Sequence, residues 1–204
     1  MSEAPAVALT FDAEHPDRPH HRADGVRRIL AALGEAGVRA TFFVQGRWAE
    51  SHPSDVREIA AEGHLLGNHS TYHARMTLLT DEGLRADVRR AEDTIRDLSG
   101  VDVRPWFRCP FGDGHDDPRV RAALDELGYR DVWWNVEPFD WDPARTAEQV
   151  ERDTCAGALA VGDGAVVLLH TWPATTAEAI AGIIEGLRAA GVRFATVDEL
   201  ERLP

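Results

Sequence analysis

The chain has 204 residues, and its 35 acidic side chains outnumber the 22 basic ones for a net charge of −13, which argues against nucleic acid or an anionic membrane surface as a partner. Every basic residue is arginine, so Schiff-base chemistry and a Walker A phosphate loop, both of which need lysine, are excluded. Hydrophobic residues make up 44%, no apolar run reaches the length of a membrane span, and two cysteines (Cys109 and Cys155) are too few for a disulfide framework, so a globular chain with one sizeable core is expected.

The first element is the apolar run Ala6-Val7-Ala8-Leu9-Thr10, read as a buried strand that ends at Asp12. No basic n-region or cleavage site precedes it, which makes a cytoplasmic protein the default expectation; a secreted one with its leader removed is the alternative. A polar loop with His15, His20 and His21 leads to a helix with Val26, Ile29, Leu30 and Leu33 on one face. Strands are expected over 39–44 and 65–68, with a helix between Pro53 and Gly63. Thr80-Asp81-Glu82 opens a long helix that Gly100 ends, and a short strand over 106–109 follows. Asp117-Pro118 caps a further helix, and the tryptophan-rich stretch 131–136 reads as a strand. A helix over 146–158 leads to the clearest buried strand, 165–169; a last helix with Ile180, Ile183, Ile184 and Leu187 leads to a final strand over 194–197.

Three helix-to-strand joints share one device: Ala36-Gly37-Val38, Leu127-Gly128-Tyr129 and Ala190-Gly191-Val192 each place a glycine where a left-handed turn must end a helix. Strands alternating with helices, without a linker, predict one α/β domain over 1–204, folded as a distorted (β/α)7 barrel. In such a barrel chemistry gathers where strands end and loops begin. Polar residues do recur there: Asp12, His69, Arg108, Glu137, Asp140 and His170 each follow an apolar strand. In His69-Ser70-Thr71-Tyr72-His73 the two imidazoles are four apart, a spacing that puts both on one face of a helical turn, within reach of one cation. His52 and His64 have no such context and are read as solvated or structural.

These clusters resemble, in order and spacing, the motifs of the polysaccharide deacetylases with a NodB homology domain, carbohydrate esterase family four. The likeness runs through Thr10-Phe11-Asp12-Ala13, His69-Ser70-Thr71-Tyr72-His73, Arg108-Cys109-Pro110-Phe111-Gly112, Asp140-Trp141 and Leu168-Leu169-His170, and covers nearly the whole chain. The resemblance implies a metal-dependent hydrolase that removes an N-acyl group from an amino sugar or related amide. By that resemblance Asp12 is the general base and His170 the general acid. Arg108 orients the base, and Asp140 keeps the acid histidine protonated. The Phe111 N–H serves the oxyanion, and Trp141 and Leu168 wall the acyl pocket. The implied cofactor is a divalent metal, Zn2+ first, with Co2+, Ni2+ or Mn2+ as alternatives. The implied partner is a carbohydrate or a small N-acylated substrate, and a monomer is the default assembly.

The sequence departs from the family pattern in two places. The second aspartate of the first motif, a metal ligand in the family, is Ala13, which has no donor atom. Strand alternation puts residues 12 and 14 on one side and 13 on the other, so Glu14 is the expected third ligand beside His69 and His73. In the fourth motif, Glu137 replaces a usual aspartate. Two other functions compete: hydrolysis of cyclic amides or imides, as in allantoinase-type relatives, and a non-catalytic metal- or sugar-binding module. The acid and base residues argue against the module, which needs neither.

Overall fold

The computed structural model describes residues 4–14 and 24–202; His15, His20 and His21 lie outside them. In chain order the elements are β1 (Ala6–Ala13), α1 (Gly25–Ala36), β2 (Thr41–Val44), α2 (Gly46–Ser51), α3 (Pro53–Ala61), β3 (Leu65–Asn68), α4 (Asp81–Ser99), β4 (Trp106–Phe107), α5 (Pro118–Glu126), β5 (Arg130–Asp131), α6 (Ala147–Val161), β6 (Ala165–His170), α7 (Ala174–Ala189), β7 (Arg193–Phe194) and α8 (Val197–Leu200).

The strands form one seven-stranded sheet in the order β5-β4-β3-β2-β1-β6. Every pairing is parallel. β1 is buried along its whole length, as a strand covered on both faces of a parallel sheet must be. β6 pairs with one edge of β1 over Val7–Asp12, and β2 with the other from Thr10 onward. β7 pairs with Ala6 and Val7, below the start of β2. Val26, Ile29, Leu30 and Leu33 of α1 are buried as their spacing predicts. Gly37, Gly128 and Gly191 have φ of 63°, 79° and 82°, the left-handed turns expected at the three joints.

The sheet curls into the expected distorted barrel, and a bridge joins the segment after β5 to β6. Beyond β5 the chain runs irregularly to Val136, which bridges Val167; the Leu168 N–H donates to the Val136 carbonyl at 2.9 Å. The strand expected over 131–136 is therefore shorter, because its partner β4 turns away at Arg108-Cys109-Pro110 and leaves nothing to pair with. The strand expected over 194–197 ends at Phe194. There Thr196 caps α8: its backbone N–H donates to the Glu199 carboxylate, completing a capping box. Helix α2 has no counterpart in the sequence-based expectation. Among the described residues no helix is long and apolar enough to cross a membrane.

Candidate active site

The ends of β1, β3, β4 and β6 meet around one cavity of about 460 Å³, lined by Asp12, Glu14, His73, Phe111, Trp134, Glu137, Trp141, Leu168, His170 and Trp172. On β1, alternation works as expected. Ala13 is 0% exposed and packs in the apolar core, while Asp12 and Glu14 face the cavity. Glu14 is only 3% exposed, and its Oε2 lies 3.1 Å from His69 Nε2 and in close contact with His73 Nε2.

The two histidines converge, though not on a helical turn. They sit in a loop whose Ser70 and His73 have φ of 60° and 55°, left-handed values that non-glycine residues adopt only when their surroundings enforce them. Here the enforcement can be named. Asn68 Oδ1 accepts the Ser70 N–H at 2.9 Å, and Ser70 Oγ accepts the His73 N–H at 3.0 Å. The Asp87 carboxylate of α4 accepts the N–H groups of Thr71 and Tyr72 at 3.0 and 3.2 Å. Burial pushes the Asp87 carboxyl above the usual range although these N–H groups pull it down.

Ligand atoms of Glu14, His69 and His73 all lie within 4.8 Å of one another. His69 Nδ1 donates to the Arg108 carbonyl oxygen at 2.8 Å, which orients the ring and leaves Nε2 as the nitrogen facing a ligand. Burial alone would lower the His69 pKa, but Asp12 and Glu14 together raise it, so the cluster attracts positive charge. Two imidazole nitrogens and one carboxylate form the donor set of a catalytic zinc site with an open position, so these residues fit a divalent cation.

Two buried pairs flank this cluster. Arg108, 0% exposed, donates from Nη1 to Asp12 Oδ1 at 2.9 Å and to Thr10 Oγ1 at 2.8 Å, and from Nε to the Val132 carbonyl at 3.1 Å. Its guanidinium lies 4.1 Å over the Phe43 ring. Asp12 Oδ2 remains 3.6 Å from His69 Nε2. On the other side, Asp140 Oδ1 takes His170 Nδ1 at 2.8 Å, and Oδ2 accepts the His170 N–H at 2.7 Å and the Thr176 hydroxyl at 2.6 Å. Burial would lower the His170 pKa, but Asp140, with Glu14 and Asp12 behind it, raises it to about 9. Asp140 thus favours the imidazolium form of His170, whose Nε2 is turned toward Glu14 at 3.9 Å.

The walls are apolar. Leu168 is buried; Trp141 and Phe111 are exposed at the rim, and the Phe111 ring meets His73 edge-on at 4.4 Å. Phe111 has φ 58°, a further left-handed residue at this rim. All ten residues singled out from the sequence are thus found in the cavity lining, in the Glu14, His69, His73 cluster or in the two flanking pairs. Sequence reasoning missed Asp87, Thr176 and Trp172, whose indole N–H donates to Glu14 Oε1 at 3.3 Å. Trp172 is two residues past His170, and that proximity was the available signal; the roles of Asp87 and Thr176 depend on packing alone. Cys109 and Cys155 are both free, and burial pushes the Cys109 thiol far above its ordinary value, so it is no nucleophile. His64 is structural: its Nδ1 accepts the Ala40 N–H at 3.1 Å.

The profile of the family described as polysaccharide deacetylase matches residues 2–132. The chain is 29% identical to a peptidoglycan-N-acetylglucosamine deacetylase of Bacillus cereus, over 95% of this chain and 67% of that protein. It is 33% identical to a chitooligosaccharide deacetylase of Rhizobium leguminosarum, over 80% of this chain and 70% of that one. Among solved structures, a family 4 carbohydrate esterase from Streptomyces lividans in complex with acetate superimposes with a TM-score of 0.81 at 29% identity, covering 95% of this chain and 93% of that one.

Proposed function

The chain belongs to the polysaccharide deacetylase family, and from that premise we propose that it hydrolyses the N-acetyl amide of an amino sugar in a carbohydrate substrate, giving acetate and a free amine. The observation that carries this reading is the pair of buried carboxylate couples, Asp12–Arg108 and His170–Asp140, facing one cavity from either side of Glu14, His69 and His73. The names of the relatives favour deacetylation over hydrolysis of cyclic amides. The acid and base pairs have no use in a binding module.

Glu14, His69 and His73 would hold the cation, with Zn2+ as the expected ion and Co2+, Ni2+ or Mn2+ as substitutes. When bound, the cation supplies Lewis acidity that polarises the water and the amide carbonyl. Asp12 takes the water's proton. Arg108 holds Oδ1 in place, so Oδ2 is the oxygen left to accept it. His170, kept charged by Asp140, gives its Nε2 proton to the departing amine nitrogen. The Phe111 N–H would stabilise the developing oxyanion. Leu168 and Trp141 wall the space for the acyl methyl.

The test is acetate release from N-acetylglucosamine oligomers by the zinc-loaded protein, with metal content measured in parallel. Asp12→Asn is expected to lose turnover and keep its metal, whereas His69→Ala and His73→Ala lose both. Wild-type turnover in Asp12→Asn, or full metal occupancy in either histidine variant, would refute the assignment.

A further inference from the structure

Of the three tryptophans that line the cavity, two, Trp134 and Trp141, donate their indole N–H groups to the same carboxylate. Trp134 Nε1 donates to Glu137 Oε2 at 3.1 Å, and Trp141 Nε1 donates to Glu137 Oε1 at 3.1 Å. Glu137 itself lines the cavity. The two rings differ in what else fixes them. Trp134 is stacked on Trp133 at 4.3 Å and lies beneath the Arg108 guanidinium at 5.5 Å. Trp141 is 43% exposed, and its aromatic neighbour Phe139, edge-on at 6.0 Å, is itself 48% exposed. Trp141 is thus the more exposed of the two rings, and its hydrogen bond to Glu137 is the polar contact that orients it toward the cavity.

Only a carboxylate can accept two N–H donors at two separate oxygens without presenting a donor of its own. A glutamine could satisfy one indole and would face the other with an N–H. An aspartate, one methylene shorter, would draw the acceptor pair back from both rings. The charge strengthens each bond relative to a neutral acceptor.

We propose that Glu137 is a positioning residue for substrate selection: by clamping the Trp134 and Trp141 indoles it fixes the width of the acyl pocket and restricts the reaction to short acyl groups. The inference rests on the amide-hydrolase reading above and adds to it the residue that sets acyl-chain preference. A fixed wall accepts the methyl of an acetyl group and rejects longer chains, whereas an untethered Trp141 swings out and admits them.

The experiment compares kcat/KM for glucosamine oligomers bearing N-acetyl, N-propanoyl or N-butanoyl groups in the wild type, Glu137→Gln and Glu137→Ala. Metal content and the indole N–H resonances are recorded for each. In Glu137→Ala the butanoyl-to-acetyl ratio of kcat/KM should rise about tenfold, the scale on which a methylene is discriminated in an apolar pocket. Glu137→Gln, nearly the same shape and safe for folding, should show a smaller rise. Two indole N–H signals should shift, and metal stoichiometry should not change. An equal loss for all three acyl lengths, or an unchanged ratio, overturns the proposal. If the wild type releases acid from none of the oligomers, the deacetylase reading fails instead. The clamp is then judged by acetate and butanoate binding, read from tryptophan fluorescence. A butanoate-to-acetate affinity ratio that rises in Glu137→Ala supports it, and an unaltered ratio overturns it.

Discussion

Asp140 determines when His170 can act. Its charge and its hydrogen bond to Nδ1 raise the imidazole to about 9 against the opposing effect of burial. A general acid works only while protonated, so activity is retained below this pKa and lost as pH rises through it. A bound divalent cation beside Glu14 adds positive charge near Nε2 and draws the limb of the loaded enzyme below 9. In Asp140→Asn the raising charge is gone, so the alkaline limb of the pH–rate profile should move to lower pH, with metal content unchanged; an unmoved limb would show that another group titrates there. Asp12, Arg108 and His170 could be picked out in the sequence because each lies at a strand end, where topology gives it a common rim, whereas Asp140 lies well beyond β5 and was marked by its Asp-Trp motif. Glu14 was legible for a different reason: the period of two along β1 turns residue 13 into the core and residue 14 toward the site. The supporting groups were not, since the bond from Thr176 to Asp140 spans 36 positions and only the packing of α7 brings it about.

The loop after β3 shows why a spacing can point to the right residues through the wrong geometry. His69 and His73 were selected by a four-residue helical spacing, yet an irregular loop carries them, tied from outside by Asn68 and Asp87. Helical periodicity describes repeating backbone, and two left-handed residues within five positions preclude it. Asp87→Ala leaves all three candidate ligands in place and removes the acceptor for two loop N–H groups. Metal affinity should drop by about 10–100-fold, the usual cost of losing support behind a ligand, as read by competition with a chromogenic chelator. Asp87→Ala with wild-type affinity would mean that the loop holds its shape without α4. Within β3, a Cβ at Gly67 would stand 2.6 Å from the Phe43 ring, on whose face Arg108 rests. Gly67→Ala must therefore displace the Phe43 ring on which Arg108 rests, and overpacking of this kind costs about 1–3 kcal/mol. The expected result is a lower denaturation midpoint together with reduced kcat, the metal remaining bound.

At the scale of the molecule, alternation of helices and strands and the three glycine joints were enough to expect a curled parallel sheet. They could not show how it closes, because the bridge from Val136 to Val167 joins residues whose pairing no local pattern encodes. The candidate metal cluster supplies a second long-range link. Glu14 follows β1, His69 and His73 follow β3, and β2 lies between those strands, so a cation held by all three ties two non-adjacent strands at the rim. It also offsets the repulsion between Asp12 and Glu14 in a chain of net charge −13. A ligand that binds only the folded state stabilises it by mass action, about 2.7 kcal/mol at a hundredfold excess over Kd, which for a chain of this size raises Tm by about 5–10 °C. Calorimetry with zinc and with chelator should show that difference in the wild type and almost none in Glu14→Ala, where the link to β1 is cut. A wild-type Tm indifferent to zinc would mean that no cation joins β1 to β3; a full shift in Glu14→Ala would mean that another group, with Asp12 the nearest carboxylate to His69 after Glu14, supplies the third bond.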